Sequence, residues 1–289
     1  MNFPFAKAIL FVFVAYILGL SLFVTLRDQL PPRPPTPTPQ EKISPTSTLT
    51  PSVTPTPKPL TFAEMNTLYG PCVNLPVLMY HHIQESETAK TNGNGYLTVT
   101  PATFESHLAY LNDSGYISIT PAQLIGFFDS GTSLPNRPIL LTFDDGYDDF
   151  ANKAAPLLSR YSIKASVFLP TGLLENPGYL NWNSISSLAG QGVYFGNHTW
   201  SHRSMGNNAD TNKREIVTAE TQLADHGLDQ NKVFVYPYGA VSDSAVAILR
   251  GLGYKLAFTT VPGRIACAKR RLTIPRIRIG NSPLSGYGL

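Results

Sequence analysis

Seven apolar runs of strand length, several ending in a polar cluster and most separated by helix-length amphipathic segments, leave this chain few ways to fold. From residue 76 onward they read PVLMYHH, PILLTFDD, KASVFLP, VYFGNH, KVFVYPY, YKLAFTT and RLTIPRIRI. Between them ATFESHLAYLNDSG, YDDFANKAAPLLSRY, NWNSISSLAGQG, TNKREIVTAETQLADHG and SDSAVAILRGLG carry helical periodicity. Buried-type strands alternating with helices imply an α/β fold with a mainly parallel sheet and right-handed crossovers, either open or closed into a barrel. No Gly-rich phosphate loop follows a strand, which weakens a dinucleotide-binding reading. There is no internal repeat.

The chain before residue 60 is of a different kind. Ala8 to Leu26, AILFVFVAYILGLSLFVTL, contains no charged residue. At ~1.5 Å per residue a helix of that length nearly spans a hydrocarbon core of ~30 Å. It lacks the short apolar stretch and small-residue cleavage site of a removable signal peptide, so an uncleaved signal-anchor is expected. The tract that follows, rich in Pro, Thr and Ser, has little to bury and reads as an extended stalk. The expected organisation is a cytoplasmic tail over 1–7, a transmembrane segment over 8–27, a stalk over 28–70 and a globular domain over 71–289. That makes a membrane-anchored protein with its globular domain extracellular. The formal charge of +3 comes from the first part. From residue 60 on, acidic and basic residues balance, which argues against nucleic acid as a partner. Cys72 and Cys267 lie near the two ends of the globular part, and either a bridge or two separate apolar thiols fits them.

Polar residues gather where α/β barrels place function, just past the C-terminal ends of strands. His81 and His82 follow PVLMY, Asp144 and Asp145 follow LLTF, His198 and His202 follow VYFGN, and Tyr238 follows FVYP. A lone Asp-Asp-Gly at a strand end reads equally well as a helix cap. Two adjacent carboxylates, however, repel unless a cation sits beside them. The four-residue spacing of His198 and His202 would put both imidazoles on one face of a helical turn, and for an isolated pair two surface histidines is the commoner outcome. Together the strand ends suggest a divalent cation held by two His and one Asp, with the second Asp free to act as a base. Zn2+ suits N/O ligands with an open position, while geometry alone also admits Fe, Co or Ni.

TFDDG followed by HTWSH and then by a Pro-Tyr-Gly segment resembles the NodB-like polysaccharide deacetylases, carbohydrate esterase family four, over roughly residues 75–280. The resemblance implies a distorted, incomplete (β/α) barrel of about seven strands. It implies Asp145, His198 and His202 as metal ligands, Asp144 as general base, and the backbone N–H of Tyr238 as a donor to the oxyanion. The implied reaction is hydrolysis of N-acetyl groups on N-acetylglucosamine residues of an extracellular or cell-wall polymer, peptidoglycan or poly-N-acetylglucosamine. Two positions depart from the family pattern. Val235 stands where an Arg precedes the Pro-Tyr-Gly segment, and no His follows His226 to supply the usual C-terminal acid. Met79–His81 has the missing apolar-x-His pattern, moved to the first strand. The chain is thus similar to the circularly permuted branch that acts on poly-N-acetylglucosamine. The same logic turns to the terminal strand for the absent Arg: Arg276 and Arg278 share a face, and Arg276 is the choice. The family's Trp motif is also missing; Trp182 reads as core rather than groove. The alternatives carried with this reading are an O-acetyl esterase and a non-catalytic wall-glycan-binding relative.

Overall fold

A computed structural model describes residues 58–206 and 208–289. Its elements in chain order begin with α1 (Phe62–Tyr69), β1 (Cys72–Asn74), β2 (Val77–Tyr80), β3 (His82–Ile83), α2 (Ser86–Asn92), β4 (Thr98–Val99), α3 (Pro101–Asp113), β5 (Ile117–Ser118) and α4 (Pro121–Ser130). Next come β6 (Pro138–Phe143), a π turn over Phe150–Ala154 running into α5 (Ala155–Arg160), β7 (Ala165–Leu169), α6 (Trp182–Gly190), β8 (Tyr194–Asn197) and α7 (Ala209–Asp225). The last are β9 (Val233–Val235), α8 (Asp243–Gly251), β10 (Leu256–Pro262), β11 (Ile265–Cys267) and β12 (Ile274–Arg278).

The seven apolar runs form seven parallel strands in the order β2-β12-β10-β9-β8-β7-β6, and β6 pairs back onto β2. The ring is therefore closed, where an incomplete barrel was expected. Closure comes from β2, the first strand of the barrel, which slots between β12 and β6 with Leu78 opposite both Ile277 and Leu141. β5 adds to the outside of β6. Strands covered on both faces need no polar alternation. All four residues of β2 and all five of β7 are buried.

Helix starts follow their caps. Thr100 precedes Pro101 and accepts from the Thr103 N–H, Thr120 and Gln123 form a reciprocal capping box, and Asn181, Asn208 and Ser242 cap α6, α7 and α8. Each satisfies an N–H group that the first helical turn leaves without a partner.

Helix α1 falls within the tract expected as stalk, and its capping box of Thr61 and Glu64 explains where it begins. β1 and β11 pair antiparallel with Cys72 opposite Cys267, and the two are joined by a disulfide. The membrane-anchored placement expected above is corrected. Among the described residues no helix is long and apolar enough to cross a membrane. The apolar run Ala8–Leu26 and most of the Pro/Thr-rich tract lie outside those residues.

Candidate active site

Parallel strands deliver all their C-terminal ends to one mouth of the barrel. Asp144 stands there directly after β6, buried, and Arg276 of β12 meets it from inside. Arg276 donates from Nη1 to Asp144 Oδ1 at 2.8 Å and from Nη2 to Oδ2 at 2.7 Å. Two more of its donors are used: Nε bonds the Thr259 carbonyl at 2.8 Å and Nη1 also reaches Thr142 Oγ1 at 3.1 Å. A bidentate fork of this kind fixes the plane of the carboxylate as well as its charge. Burial alone would raise the Asp144 pKa, but the Arg276 charge and its hydrogen bonds outweigh that and hold it below the usual carboxylate range. Arg278, two residues on, is exposed at the rim.

Asp145 turns the other way, with a left-handed backbone at φ 73°. It joins His198 and His202, each offering one donor atom, all within 4.8 Å of one another. His198 Nδ1 lies 2.8 Å from the Val235 carbonyl, which can only accept, so the ring proton sits on Nδ1. Its Nε2 then presents a lone pair to Asp145 Oδ1 at 3.3 Å, while His202 Nε2 stands 3.0 Å from the same oxygen. Although buried, Oδ1 has no aligned hydrogen bond. Acceptor facing acceptor in a buried site is the arrangement a cation resolves, and the two-imidazole, one-carboxylate donor set fits a divalent metal.

His198 and His202 do not share a helical turn, as their spacing suggested. They lie in a loop with left-handed residues at Thr199 (φ 70°) and His202 (φ 57°). The loop is pinned by Thr171 N–H to the Thr199 carbonyl (3.2 Å), Thr199 N–H to Asn197 Oδ1 (2.8 Å), and Ser201 to the buried Glu215. Glu215 accepts from Ser201 N–H at 2.8 Å and from its hydroxyl at 2.7 Å.

His81 follows β2 at the same mouth. Burial lowers its pKa to about 4, even though the nearby Asp144 and Asp145 charges act to raise it. His82 leaves the cluster and bonds Asp149, with Nδ1 at 2.6 Å from Oδ2. Tyr238 is left-handed (φ 59°), with its ring exposed and 4.7 Å from that of His202. Gly239 beside it has φ 71°, and a Cβ there would collide with Thr260. Trp182 is core-packed, stacked on His226 at 3.9 Å, and takes no part.

Several functional neighbours escaped the sequence reading. Val235, noted there only as a departure, supplies the carbonyl that orients His198. Glu215 lies on the buried stripe of α7 with Asn212, Ile216, Ala219 and Leu223, and a charge on a buried stripe was the available signal. Trp200 is 43% exposed between the two histidines. Its indole lies against Gly172, where a Cβ would come within 2.5 Å of Nε1.

A closed parallel barrel thus carries at its mouth a carboxylate paired with Arg276 and a two-His, one-Asp cluster with the geometry of a metal site. The family model described as polysaccharide deacetylase matches residues 131–257. The deacetylase PplD of Streptococcus pyogenes, solved in complex with acetate, is 31% identical, with 72% of this chain and 92% of that one covered and a TM-score of 0.65. BC0361, a polysaccharide deacetylase from Bacillus cereus, is 25% identical, with 75% and 68% covered and a TM-score of 0.64. The poly-β-1,6-N-acetyl-D-glucosamine N-deacetylase of Escherichia coli K12 is 28% identical over 198 residues, 53% of this chain but only 29% of that protein. The chain belongs to the polysaccharide deacetylase family.

Proposed function

We propose that the protein hydrolyses N-acetyl groups on N-acetylglucosamine residues of a polysaccharide, poly-N-acetylglucosamine or peptidoglycan, releasing acetate. In this reading Asp145, His198 and His202 hold a divalent cation, with zinc the best match to the donors and Fe, Co or Ni also compatible. The observation that carries it is the contrast within one Asp-Asp pair: Asp144 is neutralised by Arg276, whereas Asp145 keeps a buried oxygen open. The named relatives support the substrate class, and acetate, held by the PplD structure, is the product of such a hydrolysis.

A cation bound there would polarise the acetamide carbonyl and acidify water. Asp144, ionised and held in plane by Arg276, accepts the proton of the attacking water. The Tyr238 N–H donates to the carbonyl oxygen as it gains charge. His81, with a pKa of about 4, enters the cycle neutral. The proton it delivers to the leaving nitrogen is therefore the one that water gave up, handed on from Asp144. The C–O bond forms, the C–N bond breaks, the amine leaves neutral, and acetate departs as the anion with its proton lost to solvent.

Acetate release from N-acetylglucosamine oligomers by metal-loaded protein tests this. Asp144→Asn should keep the metal and lose ~10²–10⁴-fold in turnover, as expected for a general base. His81→Ala should lose far more activity on the amide than on an activated aryl acetate, whose leaving group needs no proton. Release from O-acetylated but not N-acetylated sugars would make the protein an esterase, and no release from either would leave a glycan-binding relative.

A further inference from the structure

The reaction above uses neither Tyr147 nor Tyr179, yet both lie close enough to Asp145 to feel its charge. Tyr147 lies two residues after Asp145, and an antiparallel bridge joins it to Tyr179. Asp148 N–H donates to the Gly178 carbonyl at 3.0 Å and Leu180 N–H to that of Gly146 at 2.8 Å. The two rings sit 5.4 Å apart, tilted by 35°. Burial first, then the Asp145 charge, raises both phenol pKa values, and Tyr179 also feels Tyr238. Three tyrosine rings thus edge one site, two half-buried and Tyr238 exposed.

Tyr147 is braced from behind. His82 stacks on it at 3.6 Å and 17°. Gln84 Nε2 donates to Asn94 Oδ1 at 2.9 Å, which turns the Asn94 amide nitrogen toward His82 Nε2 at 3.1 Å. Nε2 is then an acceptor, and the proton sits on Nδ1, donated to Asp149. Asp149 accepts the Ile83 N–H with its other oxygen at 3.1 Å. With both nitrogens occupied, this imidazole can be neither ligand nor acid. Its face is what remains, and that face holds Tyr147 still.

We propose that Tyr147 and Tyr179, braced by His82, form a sugar subsite that takes the pyranose next to the reacting residue in the glycan chain. An aromatic face offers apolar surface to the C–H face of a pyranose. A ring already immobilised loses little further freedom on binding. A single sugar would leave the subsite empty, so the enzyme favours internal residues of a polymer. This identification of the occupant rests on the deacetylase reading.

The test compares N-acetylglucosamine monomer and tetramer on the metal-loaded protein, by calorimetric binding and by acetate release. The wild type should favour the tetramer by roughly 2- to 12-fold, the range a stacked aromatic contact implies. Tyr179→Ala should lose most of that preference, chiefly through KM, while Tyr179→Phe keeps it. His82→Ala should weaken the preference and His82→Phe, which retains a stacking face, should restore it. An unchanged tetramer-to-monomer ratio in Tyr179→Ala, or no preference in the wild type, overturns the subsite. Tetramer binding that depends on Tyr179 without any acetate release would uphold the subsite and sink the deacetylase reading instead.

Discussion

Asp144 and Asp145 are adjacent in sequence and both buried, yet the fold treats them in opposite ways. Asp144 faces into the barrel and receives a full guanidinium fork from Arg276. Asp145, swung out by a left-handed backbone, meets two imidazoles and keeps an oxygen without an aligned donor. One carboxylate is completed by protein alone; the other is left for something the protein does not supply. A third buried acid calibrates the comparison. Asp229 accepts from the Tyr194 hydroxyl and the Val233 N–H, its Oδ2 has no partner, and the neighbouring Lys232 is taken by Glu220. With no cation of its own, burial drives its pKa up to about 7. Two neutral hydrogen bonds offset burial there only in part, and Asp144 escapes the same rise because it faces the full charge of the Arg276 guanidinium.

Removing Arg276 should break the comparison most violently. Arg276→Met leaves Asp144 buried without its charge partner, so unfolding free energy should drop by about 3–5 kcal/mol, read from denaturant melts. Turnover should fall with it while metal content stays near wild type. A variant as stable and active as the wild type would deny Arg276 its role and turn attention to Arg278.

A smaller effect is expected from Glu215→Gln. It keeps the size of the group that anchors Ser201 but gives up the charge and one acceptor oxygen, loosening the loop between His198 and His202. Metal affinity should fall roughly 10-fold, the low end for a residue that supports a ligand. Intact affinity would mean that the loop is held by its backbone bonds alone.

The mildest test uses pH. Asp144 has a depressed pKa, so its contribution to stability is present above the ordinary carboxylate range and is lost on acidification. Asp229 has the opposite sign: its contribution is complete below about pH 4 and is lost as pH rises through about 7. Asp229→Asn should therefore flatten the decline in melting temperature between those values and leave the acid limb unchanged. A decline that persists in Asp229→Asn would assign it to another group.

Much of this was legible in the chain before the fold was known, for local reasons. Runs such as VLMY and ILLTF are apolar throughout because parallel strands are covered on both faces, so their order along the chain marks the barrel. Arg276 was reached because β12 alternates and the family's Arg was missing at Val235. Closure of the ring was not legible, because pairing between β2 and β6 spans more than sixty residues and leaves no periodic trace. The loop form of His198–His202 was hidden for a related reason. A four-residue spacing fits a helical turn, and the two left-handed residues that unwind it depend on Asn197, Thr171 and Glu215 from elsewhere. The brace of His82 on Tyr147 needs three separate segments to meet and has no signature in any one of them.

The central claim is that Asp145, and not Asp144, is built to face a cation. Calorimetric titration of metal-stripped protein with Zn2+ tests it most directly. One ion per chain should bind to the wild type and to Asp144→Asn, and tight binding should vanish in Asp145→Ala although the protein stays folded. Equal zinc affinity in Asp145→Ala and the wild type, or loss of binding in Asp144→Asn alone, would contradict the account.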